Sequence, residues 1–366
     1  MTSTSPTIRP SRRAALGVGL AAAASSLARP ALAKGLVEWR MVTSWPKNLP
    51  GPGVSAERLA QTIGRLSDGR LTVKVFAAGE LVPALETFDA VAGGSAEMAH
   101  TAAIYWAGKM PAAPLFTSLP FGLTPLEHLA WVEQGGGQAL WDELYAAHGV
   151  KPFMAGNTGV SMAGWFRREI AGLDDVKGLK IRIVGIGAEV WRRMGATPVA
   201  LPPGEVFSAF QSGVVDAAEL LAPASDLAVG LHRVTKLYYG PGFDKPNGTG
   251  EAIVSMKALE ALPEDLRAIV ATAAREEHAA ALAQAEWANA TALDTLIGAH
   301  GVEVRAMPTS VLTAARGIAE DLLSELAAKD GLSGRVVASY RQARTRLDRW
   351  AGANLARFHV ARGSAS

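Results

Sequence analysis

The sequence contains no cysteine among its 366 residues, and charged residues make up only 19% of it. Without cysteine no disulfide forms, so the fold must be stabilised by its core, and cysteine-ligated metal sites are excluded. The seven histidines are scattered rather than set at the spacing of zinc ligands, so no zinc site is predicted. The basic residues form no patch, which argues against nucleic acid as a partner.

The first 33 residues contain no acidic residue. Arg12 and Arg13 precede an apolar run of small residues over 14–27, and residues 31–33 form an Ala-x-Ala cleavage site. This pattern predicts a twin-arginine signal peptide over 1–33, cleaved after Ala33, that exports the folded protein to the periplasm. A retained membrane anchor is the alternative. The remaining chain, with 32 basic against 34 acidic residues and no second spanning segment, is predicted to be soluble.

The length and the 49% apolar content favour a globular protein with two lobes. Residues 180–184 alternate charged and apolar side chains, as expected of a strand with one buried face. Short strands at 199–201 and 214–215 follow, separated by helical segments around Trp191 and over 205–212. This alternation predicts an α/β lobe with parallel strands, in which ligands bind beyond the carboxyl ends of the strands.

That rule points to three candidate site residues. Arg182 lies on the first of these strands, and its guanidinium offers a planar fork that matches a carboxylate; the alternative is an exposed strand arginine. Glu219 follows the third strand and could bind a cation, pair with Arg182 or cap a helix. Trp45 begins the proline- and glycine-rich loop 45–53 after an N-terminal strand, and is either a ligand contact or a packed loop aromatic.

Two motifs of enzymes are incomplete in this sequence. Gly185-Ile186-Gly187 follows a strand as a dinucleotide loop would, but Val190 replaces the third glycine and Glu189 would oppose a pyrophosphate. Ser161 lies in a near copy of Gly-x-Ser-x-Gly that lacks the last glycine, and the later histidines are scattered. The protein is therefore not predicted to be an enzyme, with a periplasmic enzyme acting on a carboxylate as the alternative.

The C-terminal part is predicted to be helical. Residues 263–299 contain no internal proline and are predicted to form a single helix of about 55 Å, long enough to lie along both lobes. Helices over 309–328 and 334–356 follow. The last has an apolar stripe that needs a partner surface, provided either by a second copy in a homodimer or by its own subunit. The stripe consists of Val336, Val337, Tyr340, Ala343, Leu347, Trp350 and Leu355.

Longer segments resemble a known family. They are WRMVTSWPKNLPGPG, ERLAQTIGRLSDGRLTVKVFAAGELVPALETFDAV, LPFGLTPLEHLAW, AGNTGVSMAGWFRREI, VKGLKIRIVG and MGATPVALPPGEVFSAFQSGVVDAAE. On these segments, which cover nearly all of residues 37–256, the chain resembles the solute-binding proteins of tripartite ATP-independent periplasmic (TRAP) transporters, of the DctP type. It is most similar to the branch that binds 2-keto acids such as pyruvate.

The resemblance implies a two-lobed α/β periplasmic-binding-protein clamp with a hinge of crossing strands. Lobe 1 would comprise 34–156 with 246–275, and lobe 2 would comprise 157–245 with 300–330. The helix over 263–299 would span both lobes, and the helix over 334–356 would offer a dimer contact.

The resemblance also assigns site residues. Arg182 matches the family's carboxylate-binding arginine, and Glu219 matches an acid that helps hold a sodium or similar cation between ligand and protein. The candidate ligand-binding residues are Arg182, Asn157, Ser161, Tyr105, Trp106, Trp45, Leu220 and Phe243. The candidate metal ligands are Glu219, Leu220 through its carbonyl, and Ser161. No cofactor is required, and a sodium or calcium ion bridging the ligand is left open.

Two positions depart from the keto-acid branch, which carries glutamine where this chain has Ser161 and tryptophan where it has Leu220. Serine reaches less far and leucine enlarges the pocket, so a larger keto acid or another organic monocarboxylate is expected as much as pyruvate. The implied function is capture of a small organic carboxylate and its delivery to the TRAP membrane permease. Ligand sensing for a membrane receptor is a further alternative.

Overall fold

The computed structural model describes Met1 and residues 35–363. Apart from Met1, the predicted signal peptide lies outside the described residues. From Val37 onward the chain forms one unit built on two β-sheets with helices packed against them. Within the described range, no helix is both long enough and apolar enough to cross a membrane.

The first sheet has five strands in the order β2-β1-β3-β10-β4. Strand β1 pairs in parallel with β2 and β3, whereas β10 runs antiparallel to β3 and β4. The chain therefore completes this sheet late, with a strand that returns from the second sheet. The strands are β1 (Val37–Thr43), β2 (Leu71–Phe76), β3 (Met98–Thr101), β4 (Val150–Asn157) and β10 (Thr249–Ser255).

The second sheet has six strands in the order β11-β9-β5-β8-β6-β7. Strand β6 is parallel to β7 and β8, which confirms the parallel arrangement predicted from alternating strands and helices. Strand β5 is antiparallel to β8 and β9. The strands are β5 (Gly164–Phe166), β6 (Lys180–Arg182), β7 (Thr197–Val199), β8 (Ala217–Ala218), β9 (Leu237–Gly240) and β11 (Glu303–Ala306).

Twelve α-helices lie within residues 35–363 and cover the sheets or extend from them. In chain order they are α1 (Pro52–Leu66), α2 (Thr87–Ala92), α3 (Pro125–Gln134), α4 (Gly137–Ala146), α5 (Gly185–Arg193), α6 (Val206–Ser212), α7 (Pro223–Val229), α8 (Met256–Glu260), α9 (Glu264–Gly298), α10 (Thr309–Ala327), α11 (Gly331–Ala353) and α12 (Leu355–Ala361).

Helix α9 connects the two halves of the molecule. In its first half Glu277 pairs with Arg58 on α1, beside the first sheet, at 2.6 Å. Further along, the Asn289 side chain accepts a hydrogen bond from the Ala224 backbone N–H on α7, beside the second sheet. Together with the two sheets and the crossing segments 158–163 and 241–248, this arrangement confirms the predicted two-lobed α/β fold.

Local sequence signals fix several helix ends. The capping box of Thr124 and Glu127 opens α3, with the Glu127 carboxylate accepting from the Thr124 N–H at 2.9 Å. Pro52 starts α1, and Ser55 lies buried inside that helix. Gly136, at φ 84°, turns the chain from α3 into α4.

One predicted strand lies further along the chain. The strand expected at 214–215 lies at Ala217–Ala218. Its position depends on pairing with β6, which the local pattern does not show.

The C-terminal stripe is divided between burial and exposure. Val336, Val337 and Tyr340 are buried in the core beside the first sheet, and the Tyr340 hydroxyl accepts from the Leu123 backbone N–H at 2.8 Å. Trp350 and Phe358, beyond them, are 64% and 54% exposed. The first half of the stripe therefore packs on its own subunit, while the end of the chain presents apolar side chains outward.

Candidate functional site

A cavity lies where the carboxyl ends of strands from both sheets face each other. Its walls include the ends of β4 and β6, the loop after β1 and the crossing segment before β10. The water-accessible volume is about 40 Å³, room for roughly three waters at about 10–15 Å³ each. The residues that line it and matter below are Trp45, His100, Tyr105, Asn157, Arg182, Leu220, Lys245 and Thr249.

Arg182 ends β6 and reaches this cavity while being only 1% exposed. Pairing of β6 with β7 and β8 brings two carbonyls to its guanidinium. The Leu201 carbonyl accepts from Nε at 3.0 Å and Nη2 at 2.8 Å, and the Glu219 carbonyl accepts from Nη1 at 2.6 Å. Because a guanidinium has five N–H donors, donors remain for a carboxylate in the cavity. The alternative prediction, that Arg182 is an exposed arginine on the surface of the strand, is wrong.

Glu219 lies directly behind the cavity, and its side chain is 1% exposed. One carboxylate oxygen is 3.5 Å from Arg182 Nη1, and the other is 2.5 Å from Lys245 Nζ. Neither oxygen receives a hydrogen bond of regular geometry from any residue in 35–363. These two ion pairs therefore compensate the burial of the carboxylate. Of the three roles predicted for Glu219, the structure shows the pairing with Arg182.

Lys245 comes from the segment that crosses back to the first sheet. Its ammonium contacts the Glu219 carboxylate and donates to the Leu220 carbonyl at 2.7 Å. Those two groups belong to the set predicted to hold a cation. The third predicted ligand, Ser161, is buried at 1% exposure, and its Oγ has no hydrogen-bond partner within the described residues.

The opposite wall is built of neutral groups. The Trp45 indole N–H donates to His100 Nδ1 at 2.8 Å, and His100 Nε2 lies 2.6 Å from the Ala155 carbonyl. Since an indole can only donate, His100 carries its proton on Nε2 and donates it to that carbonyl. Burial lowers the pKa of His100 to about 4, so the ring is neutral at pH 7.

Asn157 ends β4 on the same wall and is 3% exposed. Its amide donates to the Asn247 side chain at 3.0 Å and to Thr249 Oγ1 at 3.2 Å, and its carbonyl oxygen accepts from the Gly159 N–H at 2.8 Å. These bonds tie β4 to the segment that carries Lys245. Asn157 therefore fixes the shape of the cavity where the two sheets meet.

Arg182, Glu219 and Lys245 form what is called here the charged wall of the cavity. Two further groups beside it titrate outside their ordinary ranges. Burial raises the pKa of the Tyr105 hydroxyl to about 12, although Arg182 opposes the shift, so Tyr105 is a neutral donor. Burial, reinforced by Glu219, raises the pKa of Asp244 to about 7, while Trp191 donates to its carboxylate at 2.8 Å. The ion-paired groups at the cavity are Arg182, Lys245 and Glu219, and Asp244 next to Lys245 is partly ionised near pH 7.

The structure brings five of the predicted ligand-binding residues to the cavity: Trp45, Tyr105, Asn157, Arg182 and Leu220. It places two in cores instead. Trp106 is 1% exposed and donates its indole N–H to Glu251 at 2.7 Å, and Phe243 packs against Trp191 and Phe121. The sequence identifies these residues as aromatic, but it does not show whether each ring faces the cavity or the core.

Lys245 and His100 were missed by sequence reasoning. Lys245 stands between Asp244 and Pro246 in a glycine-rich loop, where a single lysine usually faces solvent. Its side chain is buried because the loop passes between the sheets. His100 follows the apolar residues of β3, and a lone histidine there gives no signal of its own.

Comparison with known proteins agrees with this geometry. The family described as bacterial extracellular solute-binding protein, family 7 (DctP), matches residues 42–330. The chain is 39% identical over 314 residues to the monocarboxylate 2-oxoacid-binding periplasmic protein of Nostoc sp., which covers 86% of each chain.

Two solved structures are similar throughout. A TRAP transporter solute-binding protein of Bordetella bronchiseptica, a mixed-occupancy dimer with calcium and picolinate in its site, has a TM-score of 0.88 at 34% identity and covers 90% of this chain and 98% of its own. A TRAP periplasmic solute-binding protein of Pseudoalteromonas atlantica, with sodium and pyruvate bound, has a TM-score of 0.85 at 34% identity and covers 88% and 98%.

A two-lobed fold that holds a buried arginine in a cavity between its sheets is that of a solute-binding protein. The chain belongs to family 7 of the bacterial extracellular solute-binding proteins, the DctP family, and is a TRAP transporter solute-binding protein. Proteins of this family are periplasmic, bind small carboxylates and work with a membrane permease. Relatives hold sodium or calcium together with pyruvate.

Proposed function

We propose that this protein captures a small 2-oxo monocarboxylate, pyruvate or a somewhat larger homologue, and delivers it unchanged to its permease. The observation that carries the proposal is the fixed charge of the cavity. Arg182 and Lys245 are positive and Glu219 is negative, all within one buried cluster. Because an unpaired buried charge is unfavourable, two basic side chains around one carboxylate favour a monoanion over a neutral solute or a dianion. The Nostoc relative, named for monocarboxylate 2-oxoacids, supports the same class.

Each wall contributes differently to recognition. Arg182 donates a charge-assisted fork to the ligand carboxylate, and the Tyr105 hydroxyl beside it supplies a neutral donor. Trp45 and Leu220 give the apolar surfaces against which a short carbon chain packs. The small volume favours a ligand of few heavy atoms, because a buried ligand must fit the space that closure leaves.

Closure of the two sheets on the ligand completes the mechanism. The ligand shifts the molecule toward the closed form only to the extent that it binds that form more tightly. Arg182 and Glu219 belong to one half, whereas Trp45 and Tyr105 belong to the other. A carboxylate that touches both halves therefore stabilises the closed state. The permease would then receive the ligand when docking reopens the clamp.

The site supports capture rather than catalysis. Ser161 is the one residue that resembled a nucleophile, and its Oγ has no hydrogen-bond partner in the described part of the chain. A serine without a base is a weak nucleophile. The ligand is therefore expected to leave the protein chemically unchanged, which proton NMR of the recovered ligand checks directly.

The experiment that tests the function is thermal unfolding of the chain from Lys34 onward against 2-oxo acids, 2-hydroxy acids and dicarboxylates. A ligand at about 100 times its dissociation constant should add roughly 2.7 kcal/mol to the stability. Stabilisation by short 2-oxo monocarboxylates, with little from their dicarboxylate counterparts, is the expected result. Stabilisation by dicarboxylates alone, or by nothing in the panel, contradicts the proposal.

Export by the twin-arginine route and dimer formation belong to the same proposal. Replacement of Arg12 and Arg13 by lysine is expected to retain the precursor in the cytoplasm, and the exported protein should begin at Lys34. The exposed apolar end around Trp350 and Phe358 supports a homodimer, which the mass from light scattering tests.

A further inference from the structure

Lys245 occupies the position at which a bridging cation would be expected. Its Nζ lies 2.5 Å from Glu219 Oε1 and 2.7 Å from the Leu220 carbonyl oxygen. These are the two oxygen groups of the predicted cation site that can reach inward. Distances of this length resemble those between calcium and its oxygen ligands, about 2.3–2.6 Å, so an ion and this ammonium cannot share the place.

The residues present do not fit a metal ion. Calcium takes about six to eight oxygen ligands, but within residues 35–363 no group of three or more histidine, aspartate or glutamate side chains is placed to hold a metal. Ser161 ends several atoms short of where glutamine would reach, and its Oγ stays without a partner in the described chain. An ammonium in contact with Glu219 also repels a second cation there.

The Lys245 ammonium lies at the wall of the cavity. A lysine has three N–H donors; the Leu220 carbonyl accepts from one, and the contact with the Glu219 carboxylate is an ion pair without a hydrogen bond of regular geometry. Lys245 lines the cavity, as Leu220 and Arg182 do, and its side chain is 8% exposed. At least one N–H is therefore available to an acceptor in the cavity. A buried ammonium held by a single carboxylate is costly unless further acceptors complete its shell, and a bound carboxylate supplies them.

We infer that Lys245 is a built-in cation: its ammonium takes the place of the metal ion between Glu219, the Leu220 carbonyl and the ligand, so that this protein binds its carboxylate without sodium or calcium. The inference rests on the proposed function and deepens it. An ammonium donates single hydrogen bonds, whereas a metal ion can coordinate a carboxylate oxygen and a 2-oxo oxygen together. Discrimination against monocarboxylates that lack the 2-oxo group is therefore weaker than a metal-bridged site would give.

The first test needs no variant. Binding of pyruvate to the chain from Lys34 onward is measured by calorimetry in chelator-treated buffer with choline as the only salt cation, and again with sodium or millimolar calcium added. The expected change in dissociation constant is less than about twofold, because no coupling exists between a metal and the ligand. Pyruvate binding that requires sodium or calcium overturns the inference and leaves the proposed function intact. If neither pyruvate nor any other panel acid binds with or without metal, the proposed function fails and the inference falls with it.

A substitution then separates a ligand-binding lysine from a structural one. Lys245→Met keeps the length of the side chain and removes its charge, and the metal-free affinity for pyruvate should fall roughly 30-fold or more. The exposed Lys257 gives the matched control Lys257→Met, which should bind as the parent does. Unchanged metal-free affinity in Lys245→Met contradicts the inference.

A double variant tests the cation position directly. Lys245→Met combined with Ser161→Gln frees the Glu219 and Leu220 oxygens and adds an amide oxygen. This double variant should gain calcium binding, detectable by calorimetry without any carboxylate, and should bind pyruvate only when calcium is present. Failure of the double variant to bind calcium, with its fold shown intact by circular dichroism, would show that the ammonium does not stand at a cation position.

Discussion

The two walls of the cavity treat ionisable groups in opposite ways. On the side of the second sheet, Arg182, Glu219 and Lys245 are charged and paired with one another. On the side of the first sheet, burial lowers the pKa of His100, in the cavity wall, to about 4 and raises that of Glu251, in the adjoining core, to about 8, so both are neutral at pH 7. One wall is electrostatic and the other is a network of neutral hydrogen bonds.

Glu219 and Glu251 show the cause of this difference. Both are buried, at 0% and 1% exposure. Glu219 faces two cations, whereas within residues 35–363 the side-chain partners of Glu251 are two neutral donors, the Trp106 indole at 2.7 Å and the Tyr145 hydroxyl at 3.0 Å. Neutral donors compensate a buried carboxyl less than a cation does, so Glu251 keeps its proton. The comparison teaches that a buried carboxylate needs a cation beside it, whereas a buried carboxyl that faces only neutral donors stays protonated.

The largest effect is expected where the charged wall loses its anion. Glu219→Gln keeps the shape of the side chain but leaves Arg182 and Lys245 buried without a counter-charge. The free energy of unfolding should fall by about 3–5 kcal/mol, measured by urea denaturation. Glu260→Gln, on an exposed helix end, is the control. A loss as small as that of the control would mean that the charged wall is not stabilised by its ion pairs.

Arg182→Ala tests the ligand side of the same wall. Loss of a two-bond, charge-assisted contact should weaken pyruvate binding by about 100-fold or more, near 3 kcal/mol. The exposed Arg233 provides the control Arg233→Ala. Calorimetry measures both. Affinity retained in Arg182→Ala would place the ligand carboxylate on the neutral wall and overturn the comparison.

The buried, neutral Glu251 beside the first sheet makes the stability depend on pH. The pKa of Glu251 is raised from 4.5 to about 8 by burial, so above pH 4.5 the unfolded chain releases a proton that the folded protein keeps. Stability should therefore fall as the pH rises from about 4.5 to about 8. Between pH 5.5 and 7.5 this one group accounts for roughly 2.5 kcal/mol.

Glu251→Gln isolates that contribution, because the amide oxygen still accepts from Trp106 and no longer titrates. Asp226 and Asp244, whose pKa values burial raises to about 6 and about 7, act in the same direction in both proteins and cancel in the difference. Urea denaturation across this pH range measures the two slopes. Parallel slopes would show that Glu251 is ionised when folded.

The smallest effect concerns a single neutral bond. Trp45→Phe keeps an aromatic wall but removes the N–H that His100 Nδ1 accepts, leaving that nitrogen buried and unpaired. A loss of about 1 kcal/mol in stability is expected, with Trp287→Phe, at a position that is 80% exposed, as the control. Differential scanning calorimetry resolves the pair. Equal melting temperatures would show that the neutral wall does not depend on this bond.

Much of the site was predictable because it lies close to strand ends. Arg182 and Glu219 were identified by their positions at the ends of β6 and β8, and the pairing of those strands brings them together. Asn157 and Tyr105 were placed by the family resemblance and do line the cavity. Trp106 and Phe243 were placed in the same way but lie in the cores, because their rings turn toward packed neighbours.

By itself, the sequence determined the class of this protein. Periodicity, the absence of cysteine and the long family segments are local properties, and they led to a two-lobed α/β solute-binding protein with Arg182 at a strand end. Only the tertiary structure decided the chemistry around that arginine. Lys245 reaches Leu220, 25 positions away, and Glu219 because a loop passes from one sheet to the other. Such contacts depend on chain crossing rather than on local pattern, so no spacing in the sequence encodes them.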